Sequence, residues 1–252
     1  MTQHTLAGRT EDEVLWFQRR TFLQAAAAWT AMGGFAAAHA QQRSNIVELV
    51  GDATVNGERL QARRQVQTGD QIATGPDSYL VFAIGNSSFL VRQNSRFSVE
   101  RGATLNTVSL LRMLTGAVAS VWGRGTSRQI VTPTLTAGIR GTGVYTEVRP
   151  EEAYRSYFCN CYGTVDVIAG NERVVSRATY HQSFWAEAQR KDGRLLTPAR
   201  AINHTDEEME YLARLVNQQT AWEALGRKGE RDGKGYMEQM PADAHPAMQA
   251  PR

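Results

Sequence analysis

The chain has 252 residues, 42% of them hydrophobic and 21% charged, enough to bury one ordinary core and not two large ones. Its 28 basic and 25 acidic side chains leave a net charge of only +3, which argues against nucleic acid as a partner. No window approaches the roughly 18 strongly apolar residues of a membrane-spanning helix, apart from an Ala-rich N-terminal stretch.

That stretch, "QRRTFLQAAAAWTAMGGFAAAHAQQ", opens on Arg19 and Arg20, continues through Phe22, Leu23 and a weakly apolar Ala/Gly run, and ends at Ala38-His39-Ala40. The form is that of a secretory signal. It resembles a twin-arginine export signal, although Gln18 and Gln24 stand where that family usually has Ser or Thr and Lys. The resemblance implies residues 1–40 as a signal peptide, cleavage after about Ala40, and a periplasmic protein that is not transmembrane once cleaved. Export would put the two cysteines, Cys159 and Cys161, in an oxidising compartment.

From Ile46 to about Ile168 the pattern is strand, turn, strand. In "SYLVFAIGNSSFLV", Leu80, Phe82 and Ile84 fall on one face of an extended segment and Tyr79, Val81 and Ala83 on the other. Both faces are apolar, so this strand is expected between two layers, with Gly85-Asn86 turning the chain into Phe89 to Val91. Further short strands are expected at 46–50, 71–73, 96–99, 108–113, 117–121, 129–131, 144–148 and 164–168. Glycines at 51, 57, 69, 75, 102, 116 and 163 punctuate them. The fold class is mainly β, a sandwich or an irregular solenoid, with no fixed-period repeat.

The segments "VELVGDATVNG", "VQTGDQIATGPDSYLVFAIGNSSFLV", "MLTGAVASVW" and "TPTLTAGIRGTGVYTEV" together resemble the FecR domain over roughly residues 46–168. That resemblance implies an all-β extracytoplasmic domain. A FecR-type regulator carries a cytoplasmic anti-sigma segment and a membrane helix before that domain, whereas this chain begins with a cleavable-looking signal. The resemblance therefore implies an exported, non-catalytic binding or interaction module whose partner is an envelope protein or a glycan or peptide ligand. A metal-binding protein, or an accessory to envelope signalling through a separate membrane partner, is the alternative.

Residues 169–226 form a C-terminal extension. Within it "NHTDEEMEYLARLVNQQTAWEALG" reads as one helix, with Thr205 as cap, Glu208 reaching back, Asp206 and Glu207 favoured by the dipole, and Gly226 as the stop. Met209, Leu212, Leu215, Val216 and Trp222 give the stripe that docks it on the sheet. Residues 227–252 are polar and aperiodic, the composition of a disordered tail.

In an extended strand, residues i and i+2 share a face about 6.6 Å apart, so the thiols of Cys159 and Cys161 converge. A disulfide there would need a bent strand, and its small loop would add little stability. Redox catalysis wants a thiol beside a helix N-terminus or a cation, which nothing around Tyr157 to Val165 promises. A tetrahedral soft-metal site needs two more ligands, and His181 and His204 are the candidates outside the signal and the tail. A set of Cys159, Cys161, His181 and His204 could hold zinc or Cu(I), with Asp206 orienting His204. The spacing lacks tight CxxC or HxxxH pairs, so a pair of small core cysteines stays open beside the metal.

Other motifs carry less. "TAGIRGTG" follows no phosphate-cradle spacing and runs into a strand, so it reads as a bend. Glu147, Glu151 and Glu152 read as solvated, and no nucleophile elbow accompanies any Ser, His and Asp. Arg124, Arg128 and Arg140 near Trp122 form a grouping that could grip an anionic glycan or peptide.

Overall fold

The computed structural model describes residues 44–104, 107–125 and 128–226, together with a short antiparallel pairing of Thr5–Leu6 and Arg9–Thr10 in a separate N-terminal unit. Apart from that pairing, the export signal expected over 1–40 and the tail expected over 227–252 lie outside the described residues. No described helix is long and apolar enough to cross a membrane.

Fifteen strands form one hydrogen-bonded sheet. In chain order they are β1 Ile46–Val50, β2 Ala53–Val55, β3 Glu58–Arg59, β4 Gln71–Thr74, β5 Tyr79–Ile84, β6 Ser87–Val91, β7 Arg96–Arg101 and β8 Val108–Trp122. β9 Arg128–Val131, β10 Thr136–Ile139, β11 Gly143–Arg149, β12 Arg155–Ala169, β13 Glu172–Ala178, β14 Gln182–Lys191 and β15 Arg194–Ala199 follow. The helices are α1 Asp206–Leu215 and α2 Ala221–Ala224.

The sheet folds into two leaves because β8 and β12, each of 15 residues, belong to both. Residues 108–115 of β8 pair with β7 and β9, while 116–122 pair with β6 and β11. β12 pairs with β11 and β14 up to Tyr162 and with β10 and β13 from Gly163 onward. Each strand changes leaf at a glycine with positive φ, Gly116 at 79° and Gly163 at 101°, a conformation that side-chain-bearing residues avoid. The strands expected separately at 108–113 and 117–121 are thus one kinked strand. The strand expected at 164–168 is the far half of one that begins at Arg155.

Period-2 alternation then sorts the side chains. Leu80, Phe82, Phe89, Val91, Val118 and Phe158 enter the core between the leaves, where Phe82 stacks on Phe89 at 4.9 Å between centroids. Tyr79, Val81, Leu90, Ala119, Tyr145, Tyr157, Cys159 and Cys161 are also buried, but outside that core cluster. α1 packs on β6 and β8, where Ser88 Oγ donates to the Leu212 carbonyl at 2.7 Å. This leaf is the middle layer of three, which is why its strands are apolar on both faces.

The helical stretch is shorter than the expected run to Gly226. Thr205 and Glu208 do form the capping box. After Leu215, Asn217 adopts positive φ (56°) and Gln218 N–H returns to the Ala213 carbonyl, which ends α1. Thr220 and Glu223 make a second capping box that opens α2, so Trp222 belongs to a separate one-turn helix.

A Cβ at Gly116 would stand 2.3 Å from Ser95 Oγ and 2.4 Å from Ser95 Cα. Gly116→Ala therefore adds a backbone clash to the left-handed strain and is expected to lower unfolding free energy by about 3 kcal/mol. Gly57→Ala has φ +81° but open space around it, and should cost only about 1 kcal/mol. Urea denaturation of both variants checks the difference, and equal losses would refute the close approach at Gly116.

Candidate metal centre

Three chain segments meet between the middle leaf and α1. β12 carries Cys159 and Cys161 on its helix-facing side, held in register by Tyr145 of β11 and Ser183 of β14 opposite Cys159. The turn after the edge strand β13 brings in His181, whose backbone N–H donates to the Cys161 carbonyl at 3.0 Å. His204 arrives from the link before α1, where Asn203 takes positive φ (60°) and donates through Nδ2 to Glu147 Oε2. All four side chains are at most 1% exposed.

The four inner atoms lie within 4.8 Å of one another. Cys159 Sγ is 3.8 Å from Cys161 Sγ, Cys159 Sγ is 3.4 Å from His181 Nδ1, Cys161 Sγ is 3.4 Å from His204 Nε2, and the two nitrogens are 3.1 Å apart. With Zn–S near 2.3 Å and Zn–N near 2.0–2.1 Å, an ideal tetrahedron has edges of about 3.8 Å (S to S), about 3.5 Å (S to N) and about 3.3 Å (N to N). Four of the six edges, those just given, agree with these values to within about 0.2 Å, and the other two Cys–His separations are no longer than 4.8 Å.

Outer partners decide which nitrogens face inward. His204 Nδ1 is 2.7 Å from the Ile202 carbonyl, an acceptor only, so Nδ1 carries a proton and donates. His181 Nε2 is 3.0 Å from Asp206 Oδ1 and donates to that carboxylate. Neutral imidazoles so held point two lone pairs at each other across 3.1 Å, beside two sulfurs. Each lone pair also has a cysteine sulfur 3.4 Å away, so either thiol protons or a metal ion can satisfy the four inward atoms.

The ionisation pattern follows from this. Burial pushes the Cys159 thiol up, but the hydrogen bond from Cys161 and the two imidazoles outweigh it and hold Cys159 well below the ordinary thiol range. Burial and the neighbouring Cys159 sulfur both drive Cys161 well above that range. Burial alone would lower His181, yet the Cys159 sulfur and Asp206 overcome it and the imidazole is pushed up to about 9.

The structure thus brings together Cys159, Cys161, His181 and His204, and it corrects the role expected for Asp206. That carboxylate holds His181, because α1 starts with its first turn over the His181 ring, and His204 is held by the backbone of its own link. Sequence reasoning missed the surrounding rings. Tyr145 stacks on His204 with centroids 4.7 Å apart, and Trp222 stacks on His181 at 5.3 Å. It also missed Arg92, which binds both carboxylate oxygens of Glu208 at 2.8 and 2.9 Å and the Asn203 carbonyl at 2.7 Å, pinning the start of α1. An i, i+2 alternation of Tyr157, Cys159 and Cys161 was the available signal for one face; nothing local marks Tyr145 or Arg92. Glu147, read as solvated, is half-buried and accepts from Tyr145 Oη and Arg149 Nε as well as Asn203.

No protein-family model and no curated protein sequence matches the chain. Two crystal structures of a "putative anti-sigma factor" from Parabacteroides distasonis ATCC 8503 are similar to it. One has 10% identity and a TM-score of 0.43 over 59% of this chain and 75% of that chain. The other has 9% identity and a TM-score of 0.44 over 60% of this chain and 75% of that chain. At that identity and score the likeness carries no statement about function.

Thr205→Ala removes one cap hydrogen bond and is expected to cost about 1 kcal/mol. Glu208→Ala also strands the Arg92 guanidinium, and its cost should be about 3 kcal/mol. Chemical denaturation of the two variants checks this order, and a Glu208→Ala loss no larger than that of Thr205→Ala would show that the Arg92 pair does not hold α1.

Proposed function

We propose that the chain is a zinc-stabilised, non-catalytic β module of the bacterial envelope, in which one Zn2+ bound by Cys159, Cys161, His181 and His204 locks α1 onto the middle leaf. The observation that carries it is the set of four buried donor atoms within 4.8 Å of one another, with both imidazoles held by outer partners in the tautomer that ligates.

Charge favours a divalent ion over Cu(I). Two thiolates, two neutral imidazoles and Zn2+ sum to zero, whereas Cu(I) leaves a net negative charge in a volume that already contains Asp206, itself 0% exposed. Four protein ligands at full burial leave no open coordination position for substrate, which fits a structural ion rather than a Lewis-acid catalyst. The ion's part is mechanical. His204 stands two residues before Asp206, and Asp206 binds His181, so the ion, the two histidines and the first residue of α1 form one closed linkage.

Export to the periplasm rests on the twin-arginine-like leader, and the interaction role on the FecR-like segments over 46–168. Both belong to this proposal, with an envelope protein or a glycan or peptide as the partner.

Mass-spectrometric metal analysis of the purified protein is expected to find about one equivalent of zinc, with both cysteines masked from alkylation until a chelator is added. Cys161→Ser and His204→Ala should abolish stoichiometric zinc, and Asp206→Asn should weaken its affinity about 10–100-fold. Metal removal should raise amide exchange in residues 200–226 before the sheet is affected. Metal-free protein carrying a Cys159–Cys161 bridge would refute the reading.

A further inference from the structure

A second cluster of charged side chains lies away from the metal centre, where β8, β9 and β10 end. Arg124 follows β8 by two residues, Arg128 opens β9 and Arg140 follows β10. Arg128 stands opposite Ile139 in the β9–β10 register, next to Arg140. Gly141 lies against Arg124 so closely that a Cβ there would be 2.9 Å from Arg124 Cγ. The three arginines are therefore neighbours along the backbone.

Their exposure differs. Arg124 and Arg140 are exposed, and Arg128 is 3% exposed. Arg128 donates from one terminal nitrogen to Ser87 Oγ at 2.9 Å and from the other to Asn86 Oδ1 at 2.7 Å, and its guanidinium carbon is 5.8 Å from the Trp122 ring centroid. Both acceptors are neutral. Its Nε is buried and has no hydrogen-bond partner.

The contrast with the other sheltered arginines is informative. Arg92 faces Glu208, Arg149 faces Glu147 and Arg155 faces Glu187. Among the described residues no carboxylate lies within ion-pairing distance of Arg124, Arg128 or Arg140. A lysine could relieve burial by losing its proton; a guanidinium cannot, so its desolvated charge calls for a negative partner. Among the described residues only two of five N–H donors on Arg128 are engaged. The exposed Asn86 amide covers Arg128 on the solvent side and donates from Nδ2 to the Arg124 carbonyl at 3.4 Å, so it is the group a ligand would displace.

We propose that Arg124, Arg128 and Arg140 form a binding site for a phosphate-type oxyanion. Arg128 supplies the buried, orienting contact, and the two exposed arginines supply the field that draws the ligand in. Three uncompensated positive charges match a dianionic phosphate better than a single carboxylate. The ligand is either free phosphate or a phosphate group carried by an envelope lipid, since both present the same oxygens to the guanidinium fork.

The test uses the zinc-replete full chain. Isothermal titration with inorganic phosphate, against sodium chloride at matched ionic strength, reads the free ion. Co-sedimentation with phosphatidic-acid vesicles, against phosphatidylcholine vesicles, reads the headgroup. Saturable binding of either probe is expected, weakened about tenfold or more by the double variant Arg124→Ala/Arg140→Ala, both of whose side chains are exposed. Arg128→Gln should abolish what remains. Zinc content serves as the folding control and should not change in the double variant, so a failure here is separable from a failure of the zinc reading. Absence of binding to both probes, or wild-type binding by the double variant, would overturn the proposal and leave Arg128 as a packing residue over Trp122.

Discussion

Two imidazole nitrogens 3.1 Å apart, each 3.4 Å from a cysteine sulfur, need thiol protons or a metal ion among them. The rest of the C-terminal architecture depends on that constraint. His181 and His204 come from different links, and the first turn of α1 is tied to both, through Asp206 on one side and the chain itself on the other. What lies at the centre, thiol protons or a metal ion, is therefore tied to where α1 begins.

The same constraint accounts for Asp206, one of several acids buried along α1. Asp206, Glu207, Glu208 and Glu210 are all at most 6% exposed, which would be prohibitive for isolated carboxylates. Asp206 meets His181, Glu208 meets Arg92 while completing the capping box, and Glu210 accepts from Trp222 Nε1 at 3.0 Å. The helix dipole favours the three acids in the first turn. Trp222 then closes the loop by stacking on His181, so α2 covers the centre that α1 helps to build.

Beneath the helix, the two kinked strands make the platform. By crossing from leaf to leaf at Gly116 and Gly163, β8 and β12 couple the hydrophobic core to the Cys/His cluster, with Phe158 inside and Cys159 outside on consecutive residues. The arginine cluster sits where β8 ends, so both candidate sites are anchored on strands shared by the two leaves.

What the sequence determined by itself is local. Alternation along 79–84 showed a strand buried on both faces, the single residue between Cys159 and Cys161 put their thiols on one side, and Thr205 with Glu208 announced the helix start. Each depends on neighbours within a turn or a pleat, whose geometry the backbone repeat dictates. The candidate ligand set was also legible, because so few histidines lay outside the signal and the tail. Tertiary structure decided the rest: that the four donors converge within 4.8 Å, that Asp206 serves His181 rather than His204, that Asn217 ends α1, and that Arg128 is buried with no carboxylate beside it among the described residues. Apart from the local end of α1, those outcomes turn on side chains 22 to 43 residues apart in the chain, and only the folded sheet fixes such distances.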